Sequence, residues 1–185
     1  MRRRELMLVA AGAATTLVLP AGWKPAHAQA KWRVGISQVT TVEPWRVQFN
    51  KDIRAEAAKH PEVELLISDG EDRTEKQVAD VENFIRQEVD ALLVSPKESA
   101  GLTGVVEKAI GAGIPVFVLD RNVNGDRHTC FIGGDNVLIG RTAGEFAVRA
   151  LGGAGKAQGN VIEIWGNPGT QPAHDRHNGF HEHTD

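Results

Sequence analysis

The sequence predicts an α/β fold built on a doubly wound parallel sheet, and three observations carry the prediction. Short continuous apolar runs recur along the chain, stretches of helical spacing separate them, and glycine, proline or Asx residues stand at the junctions. Such alternation defines βαβ units. Consecutive units of this kind lay their strands side by side in parallel and place helices on the faces of the sheet.

Taken in order, the chain opens on Arg2, Arg3 and Arg4, followed by an apolar stretch from Leu6 to Leu19 and by the small residues Ala26-His27-Ala28. A basic n-region, an apolar h-region and a small-residue cleavage site make residues 1–28 an expected signal peptide, removed before Gln29. The apolar stretch is shorter than the roughly 20 residues that span a bilayer, and Thr15 and Thr16 interrupt it. Arg3-Arg4-Glu5-Leu6-Met7 also approximates a twin-arginine signal beside the ordinary Sec reading. The expected strands are Val34–Ser37, Val63–Ser68, Ala91–Ser95, Pro115–Leu119, Thr129–Ile132 and Val161–Trp165. Between them the pattern predicts helices over Trp45–Lys59, Thr74–Gln87, Leu102–Ala112 and Asn136–Leu151. Val78, Val81, Ile85 and Val89 fall on one helical face. Gly111 and Gly113 suit a helix end, with Pro115 just beyond.

After Trp165 come a turn, Gly166-Asn167-Pro168-Gly169, and the opening of one more helical stretch. The last strand then lacks the partners a doubly wound sheet would give it, so the chain is expected to be truncated. Loss of residues 1–28, which hold four basic groups and one acidic group, takes the formal charge from −3 to −6. No basic patch remains for nucleic acid. The single cysteine, Cys130, has no internal disulfide partner and is expected to be buried in its strand.

Candidate chemistry gathers at the carboxyl ends of the expected strands, where open α/β sheets bind ligands. Val116–Leu119 ends on Asp120-Arg121, a carboxylate that accepts from two hydroxyls beside a guanidinium that donates in a fixed fork. The first strand ends on Ser37-Gln38 and leads to Glu43-Pro44-Trp45-Arg46, an aromatic plate next to hydrogen-bonding groups. A polyhydroxylated ring has an apolar face and a hydroxyl rim, and such a set matches both. A third pair, Asp175-Arg176, follows the last expected strand. Its simpler account makes Asp175 an N-cap and leaves Arg176 facing solvent.

Val34-Gly35-Ile36-Ser37-Gln38, Trp45-Arg46, Asp69-Gly70, Leu119-Asp120-Arg121, Asp135-Asn136 and Asp175-Arg176-x-x-Gly-Phe occur in this order between about Arg33 and Phe180. The string resembles periplasmic sugar-binding proteins of the ribose and galactofuranose type, the type I periplasmic binding proteins that serve ABC transporters. The resemblance implies a flavodoxin-like lobe over residues 33–135, a partial second lobe over 136–185, a periplasmic location, a monosaccharide ligand and a membrane permease as partner. It implies that Trp45 flanks the sugar, that Arg46, Asp120, Arg121 and Arg176 bond its hydroxyls, and that Asp135-Asn136 marks the crossing between lobes. Gln38, Glu43 and Asn136 stand near the pocket. The second-lobe ligands of the family have no counterpart here, so sugar binding by this chain alone is expected to be weak or absent.

Other signals fail on their spacing. Gly152-Gly153-Ala154-Gly155-Lys156-Ala157 lacks the first glycine and the Ser/Thr of a phosphate loop and follows a helix instead of a strand, so it reads as a cap and linker. His177 and His181 would share a helix face at a spacing that can hold zinc, but the family pattern continues through an ordinary helix and no metal or other cofactor is expected. No nucleophile has a matched base, and Asp120 beside Arg121 suits hydrogen bonding better than general acid work. A binding protein is therefore expected, not an enzyme. The alternatives are a non-functional remnant of such a protein, or a flavodoxin-like enzyme or regulatory domain, for which Ser37–Pro44 lacks the glycine of a nucleotide loop.

Overall fold

The computed structural model describes residues 32–184, and the expected signal peptide, residues 1–28, lies outside the described residues. Strands β1 (Trp32–Gln38), β2 (Val63–Asp69), β3 (Ala91–Val94), β4 (Val116–Leu119) and β5 (Cys130–Ile132) form one sheet. Every pairing is parallel, in the order β2-β1-β3-β4-β5. This is the flavodoxin-like order, whose switch point falls between β1 and β3. Helices α1 (Pro44–Ala57), α2 (Thr74–Arg86) and α3 (Ser99–Gly111) make the crossovers, and α4 (Asn136–Ala150) and α5 (Gln171–Thr184) follow. The expected elements through α4 form within a few residues of their expected ends. Pro44 stands in the first turn of α1, where its missing N–H has no helical partner to lose.

Successive side chains of a strand point to opposite faces, and β1 shows what that places where. Ser37 accepts a 3.3 Å hydrogen bond from Gln77 of α2, while Gln38 donates at 2.9 Å to Asn50 of α1. Helices α1 and α2 therefore cover opposite faces. On the α2–α3 side Val81, Phe84, Leu102 and Val106 close over Leu92, Val94, Val116 and Val118, all buried in one continuous core. The α1 side is thinner, and Leu93 and Phe117 remain half-buried there. Gly113, at φ +82°, lets the chain leave α3 in the left-handed region that glycine takes without steric cost.

Helices α4 and α5 approach at backbone distance because Gly140, Gly144 and Gly179 carry no side chain between them. A Cβ at Gly144 would lie 2.5 Å from the carbonyl oxygen of Phe180, and those at Gly140 and Gly179 would strike the backbones of Arg176 and Val137. The start of α5 is also tied back to α3. Ser99 N donates to Gly169 O at 3.2 Å, and Gln171 N donates to Ser99 Oγ at 3.2 Å.

Three expectations are corrected. Val161–Trp165 is not a strand: the segment is irregular, with Ile162 and Ile164 90% and 92% exposed. A strand exists only by pairing, and β5, at the edge of the sheet, has no second neighbour among the described residues. Cys130 is exposed, not buried, because it lies on that same edge strand, whose pattern is exposed on both sides of half-buried Phe131. Asp175 likewise falls inside α5 and not at its N-cap, since the helix begins at Gln171.

Leu92 is fully buried beneath Gly35 and within the α2–α3 core. Leu92→Ala should lower the free energy of unfolding by about 2–5 kcal/mol through lost burial and a residual cavity. Urea denaturation of the variant beside the parent checks this, and a loss under about 1 kcal/mol would place the main core elsewhere.

Candidate functional site

The carboxyl ends of β1, β3 and β4 converge on one guanidinium. Arg46 lies in the first turn of α1 and is only 1% exposed, an unusual position for a charged side chain. Its Nη1 donates to Gln38 Oε1 at 3.0 Å and to Ser95 Oγ at 2.9 Å. Its Nε donates to Glu43 Oε2 at 3.1 Å, and Nη2 reaches Asp120 Oδ2 at 3.4 Å. Burial, and then the neighbouring Arg121, lower the pKa of Arg46, and Asp120 and Glu43 oppose the shift. An arginine still stays charged under such a shift. The carboxylates are its compensation for leaving water.

Asp120 stands just past β4 at φ +65°, and Arg121 N donates across it to Leu119 O at 2.7 Å. An i to i+2 bond over a residue of positive φ is the less common, strained form of γ-turn. It turns the Asp120 side chain back across the sheet edge toward Arg46. Arg121 lies alongside, its Nε 3.8 Å from Asp120 Oδ2 and its Nη1 donating to Lys97 O at 3.2 Å. Strain held at a strand's carboxyl end by surrounding bonds is a mark of functional positions.

A cavity of about 310 Å³ opens above these groups, lined by Glu43, Trp45, Arg46, Asp120 and Arg121 from the sheet side. Trp165, Asn167, Thr170, Ala173 and Arg176 line it from the other. Trp45 is 54% exposed and stacks at 5.4 Å on Phe49, which holds its ring upright and leaves part of it open to a ligand. Of the residues expected from sequence, Glu43, Trp45, Arg46, Asp120, Arg121 and Arg176 line this cavity. Gln38 and Asn136 do not. Gln38 sits behind Arg46 and fixes it, while Asn136 is buried and accepts from Arg176 Nε at 2.9 Å, setting the position of that guanidinium.

Sequence reasoning missed Ser95, which closes the Arg46 network, and Trp165, Asn167 and Thr170, which form the far wall. Trp165 and Ser95 each end an apolar run, so the strand-end argument that selected Asp120 had the signal for both. A larger cavity of about 470 Å³, lined by Glu145, Arg149 and the 154–157 turn, lies away from the sheet's carboxyl edge and has no aromatic plate. The smaller one carries the convergent polar groups expected of a ligand site.

The fold is a flavodoxin-like α/β domain, and the cavity with its convergent polar groups lies at the carboxyl edge of the sheet, at the topological switch point. Residues 34–184 match the periplasmic binding protein domain family, and the chain belongs to that family. It is 34% identical to the ribose import binding protein of Bacillus subtilis (strain 168), over 90% of this chain and 54% of that protein. It is also 34% identical to the galactofuranose-binding protein of Escherichia coli (strain K12), over 80% of this chain and 46% of that one. Among solved structures, the fructose-binding periplasmic domain of a hybrid two-component system superimposes with a TM-score of 0.76 at 37% identity, covering 83% of this chain and 49% of that one. The chain thus spans about half the length of the relatives it matches.

Arg46→Ala leaves Gln38 Oε1 and Ser95 Oγ without their buried donor, which should destabilise the domain by about 1–3 kcal/mol. Glu43 and Asp120 are solvent-accessible and rehydrate, so the cost should not reach that of a stranded buried ion. Urea unfolding measures it, and a neutral variant would remove Arg46 from its structural role.

Proposed function

We propose that this chain belongs to the substrate-binding component of a sugar ABC transporter and that the cavity above Arg46 receives a monosaccharide of ribose, galactose or galactofuranose type. The observation that carries this reading is the composition of that cavity. Two part-exposed indoles, two acids and three guanidiniums line one pocket at the carboxyl edge of the sheet, the kind of set a hydroxylated ring with an apolar face requires. The relatives named for ribose, galactofuranose and fructose support it.

In this reading the indole of Trp45 covers the C–H face of the sugar. Asp120 accepts from hydroxyls while Arg121, Arg176 and the cavity-lining edge of Arg46 donate to others. Gln38 and Asn136 position Arg46 and Arg176, and Glu43 shares the Arg46 charge. Residues 33–135 form a first lobe and 136–185 part of a second, with Asp135 capping the helix that starts the crossing through a 2.9 Å bond from Leu138 N. The protein binds and delivers its ligand to a membrane permease and performs no catalysis. It is exported to the periplasm by the leader at residues 1–28, and its only contact with the membrane is through the permease. Among the described residues no helix is long and apolar enough to cross a membrane.

With groups from about half the length of its relatives, the chain should hold sugar weakly, with a Kd on the order of millimolar. Titration of ribose, galactose and galactofuranose into the chain, followed by NMR, should shift the indole resonance of Trp45 and the amide of Asp120 with one of them. Asp120→Ala and the same-sized Asp120→Asn should each weaken that response at least tenfold. A flat titration for all the sugars at the wild-type site, or shifts that persist in both variants, would show that the cavity is not a sugar site.

A further inference from the structure

The C-terminal helix and the irregular segment before it assemble three ligating side chains outside the sugar cavity's polar set. His177 and His181 lie one turn apart on α5 with ring centroids 4.3 Å apart. Glu163 comes from the exposed segment that pairs with no strand. Its Oε2 lies 2.7 Å from His177 Nδ1 and 3.5 Å from His181 Nε2. The three donor atoms all fall within 4.8 Å of one another.

A tetrahedral zinc ion with bonds of about 2.0–2.1 Å holds its donors roughly 3.3 Å apart, so the observed spacings need only small side-chain rotations to meet it. Two imidazoles and a carboxylate make the donor set of zinc and its transition-metal neighbours, not of magnesium or calcium, which take oxygen alone. Trp165 Nε1 donates to Glu163 Oε2 at 3.0 Å, an outer bond that orients the carboxylate. Partial burial works against ionisation of Glu163, but its bonds to His177, Trp165 and His181 outweigh this and hold its pKa below the usual glutamate value, which keeps it available as an anionic ligand.

We propose that Glu163, His177 and His181 form a binding site for one zinc-type divalent ion, with water completing the coordination. This reverses the expectation from sequence that the histidine-rich helix holds no metal. It also goes beyond the sugar site, although the two are neighbours: the Trp165 ring lies 4.1 Å from that of His177 and lines the cavity. An ion here fastens the 161–165 segment to α5 and fixes one wall of that cavity.

The test is zinc chloride titrated by calorimetry into the untagged, chelator-stripped chain, with tryptophan fluorescence recorded alongside. One ion per chain should bind with a Kd of about 10 μM or tighter, and excess magnesium should not compete. Glu163→Gln and His177→Ala should each weaken binding at least tenfold. His174→Ala, on the same helix and also against Trp165, should leave it unchanged, with circular dichroism confirming that each variant keeps its helices. Cobalt(II) substitution in the wild-type chain should give the visible absorption of a tetrahedral ion and so reads the site without any variant. Equal losses in His174→Ala and His177→Ala, unchanged affinity in a His177→Ala/His181→Ala double variant, or a six-coordinate cobalt spectrum would overturn the proposal.

Discussion

Everything at the carboxyl edge of this sheet is organised around the buried guanidinium of Arg46. A charge that is 1% exposed in a protein interior persists only where its donors are satisfied, and here the partners come from three different strand ends. Gln38 ends β1, Ser95 follows β3 and Asp120 follows β4. The parallel order β2-β1-β3-β4-β5 separates the crossovers of β1 and β3 at one place and leaves a crevice there; Arg46 fills its floor. The sheet therefore fixes the position of the arginine, and the arginine in turn holds the acid that faces the cavity. The positive φ of Asp120 is tolerable for the same reason, since the backbone bonds of residues 120 and 121 and the contact with Arg46 hold that turn from both sides.

The opposite wall of the cavity rests on a different principle. Arg176 reaches it because three glycines let α4 and α5 touch backbone to backbone, and because Asn136 at the start of α4 catches the guanidinium. Among the described residues no sheet stands beneath this wall. Trp165 and Asn167 extend from irregular chain, held by side-chain bonds to Glu163 and by the Asn167 turn that accepts from Gly169 N and Thr170 N. One wall is thus set by strand register and the other by helix packing and a few polar contacts.

The sequence was most legible where period and position act together. Continuous apolar runs gave β1 to β5 because parallel strands are covered on both faces, and Asp120-Arg121 stood out because a strand end is where polar groups acquire a function. The same rule failed at Val161–Trp165: an apolar run specifies a strand only when a neighbour offers its hydrogen bonds, and pairing is a property of the assembled sheet, not of five residues. Cys130 failed for the related reason that edge position is invisible in a local pattern. Of the site, Glu43, Trp45, Arg46, Asp120, Arg121 and Arg176 were recognisable by type, whereas Trp165, Asn167 and Thr170 on the far wall were missed, and the distinction between facing the cavity and supporting it was not legible. Gln38 and Asn136 have the chemistry of ligand contacts, and only their hydrogen bonds to Arg46 and Arg176 show that they act one layer behind. Glu163 had no signal at all as a partner of His177, fourteen residues away across a turn.

On the proposed sugar-binding reading, the two walls have unequal consequences for the ligand. A binding group fixed by a sheet costs nothing to organise, whereas one carried on irregular chain loses conformational freedom when it closes on a ligand, and that loss weakens the complex. Asp120 and Arg46 belong to the first kind, and Trp165 to the second. On that reading, selectivity among sugars is set by the sheet-held wall, where hydroxyl positions are measured against fixed atoms, while affinity depends on how far the irregular wall is already ordered. Any contact that ties down Trp165 without entering the cavity, including the Glu163 to His177 bond, then raises affinity for every acceptable ligand and leaves their ranking unchanged.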